Sequence, residues 1–240
     1  MSALKLLQSH VSTGVRPGAH ASLSPAAAAA AATEAAVAAR RFELASLGGR
    51  FVELSGKGAS AVLSMAFRLV LEAQRQGRNV AWVSLCPARS RGRPTPFHAP
   101  DVAAAGIDLR ALPVVLAPGP LEAGRAASHL LRSGAFALVV LDLVLAVEVE
   151  VDLPLPLQSR LTGLAQTHGS VLLALTEKPP EAGSIGSLVS LHANVGRARV
   201  RTPSLDGQAR FEVEVSAQKD KRFGPGWSHR EVFRAPAGLS

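Results

Sequence analysis

The stretch FVELSGKGASAVLSMAFRLVLEAQRQGRNVAWVSL, Phe51 to Leu85, decides the fold. Phe51 to Leu54 is an apolar run of strand length, followed by a turn with glycine at Gly56 and Gly58. Ser60 to Gln76 then carries apolar residues at helical spacing, and Val80 to Leu85 is a second buried strand. A strand, a glycine turn, an amphipathic helix and another strand make up the opening βα unit of a phosphate-binding domain. The question is whether the turn holds a nucleotide.

Outward from this unit, apolar runs alternate with helical patterns. Strands are predicted at Leu112 to Leu116, Ala137 to Leu141 and Val171 to Leu175, and helices near Asp101 to Ala105, at Leu121 to Arg132 and at Leu157 to Thr167. Short, near-continuous apolar strands separated by helices predict a parallel sheet covered on both faces. Val195 to Thr202 and Arg210 to Ser216 flank SLDG, whose Asp206 and Gly207 favour a tight turn, so an antiparallel hairpin is expected to finish the sheet. There is no internal repeat.

The ends read differently. Residues 1–24 mix Ser, Gly, Pro and His without periodicity and are expected to form a flexible arm. Pro25 opens an alanine-rich segment to about Ala45, and Pro at the first helical position before strong helix formers predicts a helix, with 25–47 as its unit. Its apolar side is mostly methyl groups, which calls for docking on another surface. A core domain over 50–234 and a tail over 235–240 complete the division.

At 240 residues the chain can bury about two-thirds of its unfolded surface without a metal or a disulfide. A single cysteine, Cys86, excludes an internal disulfide and fits a reducing compartment, with the cytoplasm as the expected location and the nucleoid within it. The alanine tract from Ala26 to Ala32 is too short and too weakly apolar for a membrane span. Lys and Arg total 26 against 18 acids, a net charge of +8, which suits an anionic partner such as nucleic acid. The same excess, dominated by arginine in an alanine-rich chain, also fits a GC-rich coding bias.

A working phosphate loop follows G-x-x-x-x-G-K-[ST]: backbone N–H groups close around phosphates, the Lys neutralises charge and the hydroxyl holds magnesium. Gly56 supplies the first glycine, but the second then falls on Ala61, the lysine on Val62 and the hydroxyl on Leu63. Lys57 lies in the turn before the helix, where its side chain cannot take the invariant lysine's place. GKGAS thus holds the letters of the motif in the wrong register. Gly56, Lys57 and Asp142 are the residues of a degenerate nucleotide site. A carboxylate such as Asp142 at a strand end also reads as an acceptor for backbone N–H groups. Seven scattered histidines, among them His98, His129, His168 and His192, show no ligand spacing, and no partner spacing supports Cys86 as a nucleophile.

The segment resembles the core of RecA-type recombinases, in which a strand ending V-E-I-x-G leads through the phosphate loop into a helix ending A-Q-R-E-G. Val52 to Leu54, Gly56 and AQRQG at Ala73 to Gly77 match that frame without a gap. LLRSGAFALVVLD, Leu130 to Asp142, resembles the family's A-R-S-G-A-x-D-V-I-V-V-D, whose last Asp is the Walker B residue. Lys219, Asp220, Lys221 and Pro225 resemble its K-N-K-x-x-x-P run. The resemblance covers about Arg50 to Phe233 and implies a RecA-like core. It also places the catalytic glutamate on Cys86, the acid two before it on Ser84, and the γ-phosphate-sensing Gln at about Glu177. Neither Cys86 nor Ser84 can serve as the base, and an acid at 177 repels phosphate. Charge-assisted phosphate contacts are worth roughly 1.5–3 kcal/mol each, so losing the lysine and the base together argues against turnover.

FHAPDVAAAGIDLRALPVVLAPGPLEAGRAASHLLRSGA, Phe97 to Ala135, is similar to ImuA proteins, in which Y-A-P-x-L-A-A-A-G-[LI]-D-L-x-R-L-L-V-V precedes a helix ending L-R-S-G-A. That resemblance implies a RecA-like fold with eroded nucleotide motifs and no cofactor. It implies an accessory role in SOS-induced mutagenesis and translesion synthesis, through an ImuB-like polymerase-family partner, RecA and single-stranded DNA. The alanine-rich helix would dock on RecA, on a second copy or on its own domain. Other readings are an active recombination or repair ATPase that binds single-stranded DNA, and a regulator that caps RecA-type filaments.

Two basic stretches are candidate nucleic-acid contacts, each also readable as a solvated face. Arg75, Arg78, Arg89, Arg91 and Arg93 occur without an acid between them, the last three in a Ser-, Gly- and Pro-containing loop. Lys219, Lys221, Arg222, Arg230 and Arg234 are interleaved with Phe223, Trp227 and Phe233, aromatic rings suited to stack on bases. Ser133 to Ser159 is the acidic counterpart, with Asp142, Glu148, Glu150 and Asp152 and no basic residue.

Overall fold

The computed structural model describes residues 42–58, 60–86, 97–144, 153–200 and 210–234. The expected arm, most of the alanine-rich helix, the loop with Arg89, Arg91 and Arg93, the SLDG turn, the acids at 148, 150 and 152 and the tail lie outside them.

The opening unit forms as its pattern dictates. Strand β1 (Phe51–Ser55) is buried throughout, and helix α2 (Val62–Arg75) buries Val62, Met65, Ala66, Leu69, Val70 and Ala73, the stripe expected of a helix facing a core. Helix α1 (Leu44–Leu47) precedes them, and β2 (Val80–Leu85), α3 (Ala99–Ala104), β3 (Val114–Ala117), α4 (Pro120–Arg132), β4 (Leu138–Asp142), α5 (Leu155–His168) and β5 (Val171–Thr176) follow. The chain ends in β6 (Leu191–Arg199), β7 (Arg210–Asp220) and β8 (Ser228–Arg234).

All eight strands form one sheet in the order β3-β2-β4-β5-β1-β6-β7-β8. Pairing is parallel from β3 to β6 and antiparallel from β6 to β8, so β7 alone is reversed. Alternation along the strands separates two cores. Val52, Leu54, Trp82 and Val140 face α1, α2 and the segment after α3, while Phe51, Val83, Leu141 and Leu172 face α4 and α5. On that second face Gly124 lets the helices meet closely, because a Cβ there would lie 2.7 Å from Leu157.

The expected antiparallel C-terminal hairpin is present as β6 and β7, with β8 added to it, and β6 starts earlier than expected, at Leu191, paired to β1. Two other expectations need correction. Glu43 is extended (φ −98°, ψ 152°), so a helix opened at Pro25 does not run unbroken to Ala45. The core also begins before Arg50, since Phe42, Leu44 and Leu47 are buried in it. Among the described residues no helix is long and apolar enough to cross a membrane.

Candidate functional site

In an open parallel sheet, ligands bind outside the carboxyl ends of the strands. Here that edge gathers the turn after β1, Asp142 at the end of β4, Ser84 and Cys86 at the end of β2, and Glu177 after β5. Strand β5 alone separates β1 from β4, which puts Gly56 and Asp142 about 10 Å apart.

Gly56 is buried, and its N–H donates to the Thr176 carbonyl at 3.3 Å. A Cβ at this position would come within 2.5 Å of the Ser60 Cβ and 2.8 Å of the Val195 carbonyl oxygen, so only glycine fits. Gly58 has a left-handed φ of +62°, and its N–H donates to Glu177 Oε1 at 3.4 Å. A carboxylate of the chain itself therefore takes an amide that a phosphate would need. Lys57 is exposed and points no charge into the turn through any ion pair among the described residues. Val62 is buried against the sheet, whereas Leu63 is half-buried and lines a groove on the outer side of α2. The cation and hydroxyl positions of a phosphate loop are thus aliphatic.

That groove, of about 1050 Å³, runs between α3 and the end of the β7–β8 pair, with Leu63, Phe67 and Phe233 on its floor. Arg68, Arg75 and Arg234 line it together with Glu43, Glu72 and Glu231, so it carries both signs of charge.

Asp142 is buried, with Oδ1 accepting from the Val144 N–H at 3.2 Å and Oδ2 unpartnered. Burial raises its pKa from 3.8 to about 6 against the Val144 amide. The Trp82 indole N–H acts in the same lowering sense, although it makes no hydrogen bond of standard geometry. Ser84, the cross-strand neighbour of Asp142, also has an unpartnered hydroxyl. A magnesium ion wants several oxygen ligands. The neighbours of Asp142 are instead an indole N–H and one hydroxyl, the helical hydroxyl is replaced by Leu63, and no group of three metal-binding side chains occurs among the described residues. The residues present do not fit a magnesium-bound triphosphate. Cys86 is half-buried, its backbone N–H donating to the Ala117 carbonyl at 2.7 Å.

Lys219, Lys221 and Arg222 lie at the opposite edge, where β7 ends beside the start of β6. Lys219 and Lys221 donate to the Ser187 carbonyl at 3.3 and 2.9 Å, and Arg222 donates to the Ser46 carbonyl at 3.0 Å. Burial, then the neighbouring Lys221 charge, lower the Lys219 pKa. Trp227 is not free to stack on a base: it is buried and donates its indole N–H to Asp220 Oδ2 at 3.0 Å. Arg230 pairs with Glu214 at 3.0 Å. The structure therefore separates the degenerate turn from this basic run instead of joining them.

Two buried polar locks have no local signature in the sequence. Arg50 pairs with Asp220 at 2.6 Å, and the Asp220 carboxylate also accepts from the Arg222 and Phe223 amides at 2.8 and 3.2 Å. Burial works to raise the Asp220 pKa, but these amides, the guanidinium and Trp227 together hold it below the ordinary carboxyl value. Glu53 Oε1 meets Lys178 at 2.6 Å and Thr176 Oγ1 at 2.9 Å, while Oε2 accepts from the Ile185 N–H at 2.8 Å. Beside it, the Ser55 hydroxyl and His192 Nε2 are 2.9 Å apart. Burial is the main cause lowering the His192 pKa, Lys178 and Lys219 adding to it and Glu53 opposing. The only hint in the sequence was a charge, Glu53, inside an otherwise apolar strand.

No protein-family model matches the chain, and no curated protein matches it.

Proposed function

We propose that this protein is a RecA-like adaptor that does not hydrolyse ATP and assists damage-induced, error-prone translesion synthesis. It works through contacts with an ImuB-like polymerase-family protein and with RecA, and it holds single-stranded DNA beside them. The observation that carries the reading is at the turn after β1: aliphatic Val62 and Leu63 stand at the cation and hydroxyl positions, and Glu177 occupies the Gly58 amide. A triphosphate there would meet a carboxylate without a lysine to offset it, and no base is available at Ser84 or Cys86 to activate water. Compartment follows function, so the protein is placed with the nucleoid in the cytoplasm.

The second reading, an active repair ATPase, draws on the buried Gly56 and on Asp142 at the same sheet edge. Phosphate release by purified protein, with and without single-stranded DNA, separates the two. The adaptor reading expects no turnover above a boiled control, and turnover that Lys57→Ala abolishes overturns it. Co-purification with ImuB and RecA homologues from the same genome tests the partner assignment.

A further inference from the structure

The ribbon of β6, β7 and β8 has two ends, and their cations are held differently. At one, Lys219, Lys221 and Arg222 donate to backbone carbonyls. At the other, Arg197 and Arg199 close β6 and Arg234 closes β8, all three exposed. The register sets Arg199 opposite Phe211 and Phe211 opposite Phe233, so residues separated by up to 34 positions form one row across three strands. Arg199 and Arg234 make no ion pair among the described residues, and the Arg197 guanidinium stands 5.5 Å from the Phe211 ring centroid. Phe211 and Phe233 are stacked, 5.8 Å between centroids at 16°.

The nearby acids do not cancel this charge. Glu231 pairs with Arg68 at 3.0 Å, and Glu212 and Glu214 face Arg230 at 3.7 and 3.0 Å. Arg197 therefore stands over one ring of a parallel aromatic pair, Arg199 lies in the same row and Arg234 follows Phe233 at the strand end, none of them ion-paired among the described residues. Strands about 4.8 Å apart put Arg199 and Arg234 roughly 10 Å from each other, a span that a few nucleotides cross.

We propose that this end of the ribbon binds single-stranded nucleic acid, with Arg197, Arg199 and Arg234 on phosphates and the Phe211–Phe233 pair as a stacking platform. Unpaired arginines supply the salt-dependent attraction, and a ring face accepts any base that is not already stacked in a duplex. The assignment deepens the adaptor reading and rests on it for its DNA partner. It moves the contact from Lys219, Lys221 and Arg222 to the opposite end of the same strands.

The test is fluorescence anisotropy of the full chain with labelled oligothymidylate at about 50 and about 200 mM salt. The paired variant Arg199→Gln/Arg234→Gln is expected to weaken binding roughly tenfold at the lower salt and to flatten the salt slope by about one to two. Phe233→Leu keeps an apolar side chain and is expected to lose roughly tenfold by removing one stacked base. Lys219→Gln/Lys221→Gln is expected to bind like the wild type, and thermal midpoints show which variants fold. The proposal is overturned if the arginine variant binds normally, if the lysine variant carries the loss, or if the wild type does not bind. It is also overturned if polyglutamate or duplex competes as well as oligothymidylate with no dependence on Phe233. Phosphate release from the same preparations keeps the outcomes apart: absent binding without turnover removes this surface and leaves the adaptor, whereas turnover removes the adaptor and leaves the surface.

Discussion

Asp142 and Asp220 are both buried carboxylates at strand ends, on opposite edges of one sheet. Asp220 has a guanidinium, two amides and an indole N–H around it, and its pKa is held low. Asp142 has one amide, one orphaned oxygen and a pKa pushed up to about 6. A buried charge is tolerated when donors converge on it and resisted when they do not. The first carboxylate ties β7 to Arg50 across 170 residues, whereas the second holds only the Val144 amide, two residues on. The edge with the phosphate-like turn is thus the less well satisfied edge, as expected where local rules are broken without a structural return.

The largest effect should come from the lock. Asp220→Ala leaves Arg50 buried and unpaired and is expected to cost about 3–5 kcal/mol in urea unfolding. A loss below about 1 kcal/mol would show that the two edges do not differ as argued. The Asp220 contribution has a definite pH window: with its folded pKa lowered, it is present above the ordinary carboxyl range and lost as acid pH falls through the folded value.

Asp142 should behave in the opposite sense. Its folded pKa lies above the unfolded one, so the Asp142 contribution is most favourable below about pH 4 and is lost as pH rises through about 6. The rise from 3.8 to about 6 corresponds to about 3 kcal/mol at most. Asp142→Asn is therefore expected to stabilise the protein by about 1–3 kcal/mol at pH 7.5 and to remove that part of the pH dependence. Destabilisation at that pH, measured by the same unfolding curves, would assign Asp142 a partner at neutral pH.

The smallest effect belongs to the turn. Glu177 is half-buried with one long hydrogen bond, and Glu177→Gln should change stability by no more than about 0.5 kcal/mol. Its interest lies in binding: if the carboxylate guards the Gly58 amide, the variant should take up inorganic phosphate more tightly than the wild type in calorimetry. Equal weak affinity would leave the missing lysine as the sole reason that the turn rejects anions.

The parts of the fold with a strong local period were legible. The predicted β2 coincides with the observed Val80–Leu85, and the four core helices lie where apolar spacing put them, within a few residues. The strand at β3 starts two residues later than expected, because Pro113 has no N–H to give to a ladder and sits at its margin. The start of β6 is not legible locally because His192 and Asn194 interrupt its apolar run; His192 is buried against Ser55, a contact 137 positions away. Likewise β8 reads as a charged, aromatic tail until β7 is beside it. Then Phe233 turns toward Phe211, and Trp227, which precedes β8, is buried in the core. Register within the glycine turn was countable from letters, but the capping of Gly58 by Glu177 was not, since nothing local links residues 119 positions apart.

Gly56 has a wider consequence. Crowding by Ser60 and by the backbone of β6 demands the absence of a side chain there whether or not an anion ever approaches. A search keyed to that glycine reports a shortage of space between a strand and its helix, and only the two residues that open the helix report on chemistry.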